Sequence, residues 1–255
     1  MDLALAGRHA FLAGASRGIG LAIAHAFAAE GAVVTITGRT PDSLEHARRQ
    51  LAETGATIHA IRADMCDPAL VRAALDQAED LAGPPTAVVG NLGSGTSLPG
   101  VAIPEEHWLA VLRTNLLGAT ALATEALPRL ERVSGGSLTF ISSIAGVEAI
   151  GAPIAYASAK AALNQAVKGY ARQMGAKGVR VNAVAPGNVL FPGGSWETKL
   201  RERPEFCAEL LRTEVPLRRF GTPDEIAAAV VFLASEKASF CTGTIMVVDG
   251  GQTRS

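Results

Sequence analysis

Residues 14–20, Gly-Ala-Ser-Arg-Gly-Ile-Gly, constrain this chain more than any other stretch. They stand between a short apolar run at 9–13 and an Ala-rich, proline-free stretch at 19–30 that closes at Gly31. Glycines at 14, 18 and 20 permit a tight turn and close backbone approach, and the start of the following helix offers free N–H groups to an anion. A strand before and a helix after are the context in which such a turn cradles a dinucleotide phosphate. The spacing is GxxxGxG rather than GxGxxG.

The pattern then repeats. Apolar, β-branched runs at 32–37, 57–62, 86–89, 137–141, 179–184 and 244–248 read as strands. Between them, helical patterns cover 41–54, 68–81, 105–118, 120–133, 154–176 and 223–234. Asp67 with Pro68 reads as an N-cap and first helical residue, and Thr222 as a cap for 223–234. Alternation of this kind predicts an α/β fold: one doubly wound parallel sheet, Rossmann-type, with helices on both faces and a single domain across 1–255. Residues 188–216 break the rhythm with Pro192, Gly193, Gly194, Pro204 and Pro216, and predict a lid over a binding site.

Composition narrows the function classes. The chain has 255 residues, 48% of them apolar, with 23 basic against 24 acidic side chains. That balance argues against a nucleic-acid partner, which calls for a basic stripe. The first ten residues lack the apolar core of a signal peptide, and no run reaches the ~18 apolar residues of a membrane span. Three cysteines, Cys66, Cys207 and Cys241, form no CxxC pair and suit a reducing, cytoplasmic setting. The five histidines show no metal-binding spacing, so no metal is expected.

Only two tyrosines are present, and Tyr156 is followed four residues later by Lys160, on the same helical face. A free phenol, with a pKa near ~10, is a poor base, and a neighbouring ammonium lowers that value. The pair can therefore move a proton to or from an oxygen. Ser143, thirteen residues before Tyr156, follows a strand whose carboxyl end faces the ligand crevice of such a sheet. The second strand ends in Thr37-Gly38-Arg39-Thr40, without the carboxylate that binds the ribose 2′-hydroxyl of NAD. Arg39, with Arg17 in the turn, can instead pair with a 2′-phosphate, which favours NADP(H).

With residues 14–20, Asp64, Asn115, Ser143, Tyr156, Lys160, Pro186-Gly187 and the tail 219–251, the chain resembles the short-chain dehydrogenase/reductase family over nearly its whole length. The tail, RFGTPDEIAAAVVFLASEKASFCTGTIMVVDGG, resembles the 3-oxoacyl-carrier-protein-reductase type. The resemblance implies Tyr156 as general acid/base, Lys160 as the group that lowers its pKa and holds the nicotinamide ribose, Ser143 as the residue that orients the substrate carbonyl, and Asn115 as support for a water relay. It implies a cofactor cradle of Gly14, Ser16, Arg17, Gly18, Ile19, Gly20, Arg39, Asp64, Met65, Asn91, Tyr156, Lys160, Pro186, Gly187 and Val189, with Asp64 at the adenine. It also implies a small carbonyl or alcohol substrate and a homo-oligomer, dimer or tetramer, with helices 120–133 and 154–176 packing between subunits.

The chain departs from the family pattern at Gly90-Asn91-Leu92-Gly93, where the family has Asn-Asn-Ala-Gly, and at Ala13, where it has Thr. Phe191 stands where the family often places Thr, and 191–196 (FPGGSW) is an unusual lid. Trp196 is a candidate pocket wall; Trp108 reads as core. The expected function is NADP(H)-dependent interconversion of a carbonyl and a secondary alcohol. The alternatives are NAD(H)-dependent alcohol oxidation, or an NADP(H)-sensing regulator that does not turn over.

Overall fold

Phe11 and Leu12 are neighbours in sequence, both fully buried, yet they belong to different cores. The cause is the two-residue period of a strand: successive side chains leave opposite faces of the sheet. The structure, a computed structural model, describes residues 2–254. Its strands are β1 (His9–Ala13), β2 (Val33–Gly38), β3 (Ile58–Arg62), β4 (Ala87–Gly90), β5 (Ser137–Ile141), β6 (Arg180–Pro186) and β7 (Ile245–Val248). All pairings are parallel, in the order β3-β2-β1-β4-β5-β6-β7, as the alternating pattern predicts.

Helices cover both faces. On one side α1 (Gly18–Ala29), α2 (Pro41–Ala52) and α9 (Pro223–Ala234) bury Ile23, Phe27, Leu51 and Val230 with Leu12 and Ile36. On the other, α3 (Pro68–Ala82), α5 (Gly118–Leu130) and α6 (Ile154–Met174) bury Leu75, Leu122 and Leu163 with Phe11 and Phe140. Local chemistry sets several of the ends. Asp67 accepts from the Ala69 and Leu70 amides with Pro68 opening α3. At α9, Thr222 and Glu225 form a reciprocal capping box, the Thr222 amide donating to Glu225 at 2.8 Å.

Two expectations need correction. Residues 105–133 are not two helices parted at 119: α4 (Glu105–Leu112) runs through a π-helical turn, Arg113–Leu117, straight into α5. The apolar spacing slips there because the π turn takes one extra residue. Residues 188–216 are not irregular throughout: they hold α7 (Ser195–Glu202) and α8 (Pro204–Thr213). Pro204, read as a breaker, sits at the first position of α8, where its missing N–H costs nothing.

The strand order reverses between β1 and β4. Helices on either side of that point leave on opposite faces, so a crevice opens beyond the carboxyl ends of these strands. No helix among the described residues is long and apolar enough to cross a membrane.

Candidate active site

The glycine turn joins β1 to α1 and is built so that no side chain fits. Gly14 has φ +78, and a Cβ there would stand 2.5 Å from the Asn91 carbonyl oxygen. Gly18 has φ +56. A Cβ on Gly20 would stand 2.5 Å from the Asn91 amide nitrogen. Asn91, just past β4, holds the turn by donating Nδ2 to the Gly14 carbonyl at 2.7 Å. The Gly14 amide donates to the Thr37 hydroxyl on β2 at 3.2 Å, so a hydroxyl reaches the turn although position 13 is Ala. Arg17 caps α1 without a side-chain hydrogen bond to the helix. This cradle, which a single Cβ would fill, fits a dinucleotide pyrophosphate.

Across the crevice lies a wall formed by the end of β5, the π turn and α6. Lys160 is 3% exposed and donates Nζ to the Ile141 carbonyl at 3.0 Å and the Leu92 carbonyl at 3.2 Å. Burial pushes its pKa down to about 8. Burial pushes the Tyr156 phenol up, and the adjacent Ser143 hydroxyl pulls the other way. Burial and the Ser143 hydroxyl are the two influences on the phenol; the Lys160 ammonium is turned to the Ile141 and Leu92 carbonyls. Ser143 itself accepts from the Ala145 amide at 3.2 Å, which fixes the short turn after β5.

Asn115 is carried by the π turn and is 1% exposed. Its Nδ2 donates to the Val111 carbonyl at 3.1 Å, and its Oδ1 accepts from the Ser94 amide at 3.1 Å. Gly93, φ +143, threads between this amide and Lys160. The departures from the family pattern have local reasons. Gly90 makes room for Phe140, whose ring a Cβ there would meet at 2.5 Å. Phe191 lies over the turn: a Cβ on Gly18 would be 2.6 Å from its ring. Arg17 reaches the same segment, donating to the Gly193 carbonyl at 2.9 Å.

Together these groups line one cleft of about 790 Å³. Gly14, Ser16, Arg17, Ile19, Arg39, Asp64, Met65, Asn91, Asn115, Ser143, Tyr156, Lys160, Pro186, Gly187 and Val189 all face it. Gly18 and Gly20 do not line it and shape the turn from behind. Trp196 lines the cleft as expected, and Trp108 packs on Val111 and Ala155. Asn164 escaped the reading of the sequence. It is buried on α6, accepts from the Ser142 hydroxyl at 2.5 Å and donates to the Gly146 carbonyl at 3.0 Å. Its signal was available: a polar residue four beyond Lys160, on the face that already carries Tyr156 and Lys160.

The strand order and the glycine-lined crevice at its reversal define a nucleotide-binding α/β protein. A family model described as "Enoyl-(Acyl carrier protein) reductase" matches residues 14–253. Isoepoxydon dehydrogenase of Penicillium expansum is 38% identical over 253 residues, 97% of this chain and 95% of that protein. A 3-oxoacyl-[acyl-carrier-protein] reductase of Pseudomonas aeruginosa is 34% identical over 254 residues, covering 99% of this chain and 100% of its own. L-Sorbose reductase from Gluconobacter frateurii, solved with NADPH and L-sorbose, superposes with a TM-score of 0.94 at 30% identity, over 100% of both chains. The chain belongs to the short-chain dehydrogenase/reductase family, oxidoreductases acting on carbonyl and CH–OH groups.

Proposed function

We propose that this chain is an NADP(H)-dependent oxidoreductase that interconverts a carbonyl and a secondary alcohol, with Tyr156 as its general acid/base. The observation that carries the reading is the meeting of Ser143, Tyr156, Lys160 and Asn115 on one wall of the cleft, opposite the glycine turn. A bound reduced nicotinamide supplies the hydride. The chain supplies position and protons. Ser143 donates its hydroxyl to the substrate oxygen, and Tyr156 delivers a proton to that oxygen, or removes it in the oxidative direction.

Lys160 holds the ribose and steadies the phenolate that proton donation leaves behind. Asn115 fixes the backbone of Gly93 and Ser94, which borders the lysine. Gly14, Ser16, Gly18, Ile19 and Gly20 take the pyrophosphate, Asp64 and Met65 the adenine end, and Asn91, Pro186, Gly187 and Val189 the nicotinamide end. Arg39 and Arg17 take the 2′-phosphate, and they support NADP(H) because no carboxylate stands at the end of β2. A homo-oligomer is part of the same reading, supported by exposed Leu109, Leu117 and Ile154 around the π turn and the start of α6.

The deciding experiment is Tyr156→Phe. Turnover of a carbonyl panel with NADPH is expected to fall by at least about a hundredfold, the usual weight of acid–base catalysis, with NADPH affinity unchanged. Retained turnover overturns Tyr156 as the acid. A native protein that binds NADPH but reduces nothing in the panel points to the sensing regulator instead.

A further inference from the structure

The lid end of the cleft differs in chemistry from the proton-transfer wall. On α7, the spacing of Ser195, Trp196 and Lys199 puts all three side chains toward the cleft, and on α8 Phe206 and Leu210 join them. Trp196 is anchored: its ring lies 5.4 Å from that of Phe220, and the Lys199 ammonium sits 4.2 Å from the Trp196 ring centre. Lys199 forms no ion pair among the described residues. The acids beside it are engaged elsewhere, Glu197 with the Gly193 amide at 2.8 Å and Glu202 with Arg201.

The other charged groups lining the cleft have different places. Arg39 and Asp64 stand at the nucleotide end, Arg17 spans from the glycine turn to the Gly193 carbonyl, and Lys160 is buried beneath the reacting wall. Asp64 is the only carboxylate among the lining residues. The lid helices therefore present a flat apolar wall and, in Lys199, one cation of their own that lacks a counter-charge.

We infer that the lid selects a carbonyl substrate with a flat or apolar body and an anionic group away from the reacting carbon. Trp196 packs on the body and Lys199 pairs with the anion. This deepens the oxidoreductase reading and rests on it. A carboxylate and a phosphate share the chemistry that Lys199 recognises, and the test separates them.

The probes are 4-acetylbenzoate, its methyl ester and 4-acetylphenyl phosphate, which keep one ring and one ketone while the charge changes. Each is titrated calorimetrically into native protein saturated with NADPH, and NADPH consumption is followed separately. At least one anion is expected to bind about tenfold tighter than the ester, the weight of one charged hydrogen bond. The tighter of the two identifies the anion. Lys199→Gln is expected to erase the advantage and Lys199→Glu to invert it, with NADPH affinity unchanged in both.

Equal binding of anions and ester overturns the inference. So does an advantage that survives Lys199→Gln, and so does failure of all three probes to bind. Lys199-dependent binding without NADPH consumption supports the anion subsite and, joined to a carbonyl panel in which nothing is reduced, points to the sensing regulator, so the two failures are distinct.

Discussion

Ser142 donates its hydroxyl to the Asn164 side-chain oxygen at 2.5 Å, and this bond ties the strand end that presents Ser143 to the helix that presents Tyr156. The other end of Asn164 grips the Gly146 carbonyl at 3.0 Å, so one amide spans both sides of the turn after β5. Asn164→Leu removes both bonds and leaves buried partners unsatisfied. Unfolding stability is expected to fall by about 1–3 kcal/mol. Carbonyl reduction is expected to slow about tenfold or more through misplacement of Ser143, with NADPH affinity preserved. Urea denaturation and steady-state kinetics on the same preparation check both.

Arg39 stands exposed at the end of β2, facing the cleft. Arg39→Asp exchanges a phosphate partner for a ribose partner. NADPH affinity is expected to drop at least about tenfold while NADH gains, read by parallel fluorescence titrations. Unchanged NADPH affinity removes Arg39 from the cofactor clamp.

Lys160 brings a pH limit. Its pKa, lowered to about 8 by burial, means that the Lys160 charge, which the proposed mechanism uses to steady the phenolate, is present below that pH and lost above it. The rate of carbonyl reduction is therefore expected to decline with a midpoint near 8, well before the phenol ionises. A pH profile of kcat that stays flat to pH 10 contradicts this.

His9 sets a limit on the acid side, through stability. Its ring is buried on β1, with Nδ1 2.7 Å from the Gly83 carbonyl and Nε2 2.9 Å from the Thr35 hydroxyl. Burial lowers its pKa, and His59 nearby pushes the same way, while the Gly83 carbonyl and Glu79 oppose. Because the folded pKa lies below the unfolded value, the unfolded chain takes up the proton first. The stabilisation is whole above about pH 6.5 and is lost as pH falls below it. Urea midpoints at pH 7.5 and 5.5 are expected to differ more for the native chain than for His9→Asn.

Gly14→Ala tests the cradle. The φ of +78 and the Asn91 oxygen 2.5 Å from the new Cβ both oppose it. A stability loss of about 1–3 kcal/mol is expected, with NADPH affinity reduced. Thermal melts with and without NADPH measure the two separately.

What could be read from the chain itself follows the range of the forces involved. The strands at 9–13 and 137–141 match β1 and β5, because a buried parallel strand is an apolar run bounded by turn residues. The caps at Asp67 and Thr222 were legible because a cap is satisfied within three residues. The Tyr156–Lys160 pair was legible because one helix face carries both. Contacts between distant segments were not. Phe191 lies over Gly18, and Ser142 bonds to Asn164, only after the sheet has brought their elements together. Pro204 misled for a related reason: proline opens a helix as readily as it breaks one, and the neighbours decide.

The π turn at Arg113–Leu117 makes the length of its helix a matter of phase. Each residue of an α-helix advances the side-chain direction by about 100°. Deleting one residue from 105–112 and letting the turn relax to α geometry would carry Asn115 away from Gly93 and toward the outer surface. The residues between the deletion and the turn would face a new direction, while the rod beyond either end would keep its stripe, because the turn's extra residue absorbs the loss. This stretch is a vernier: it tolerates changes in what its residues are far better than changes in how many there are.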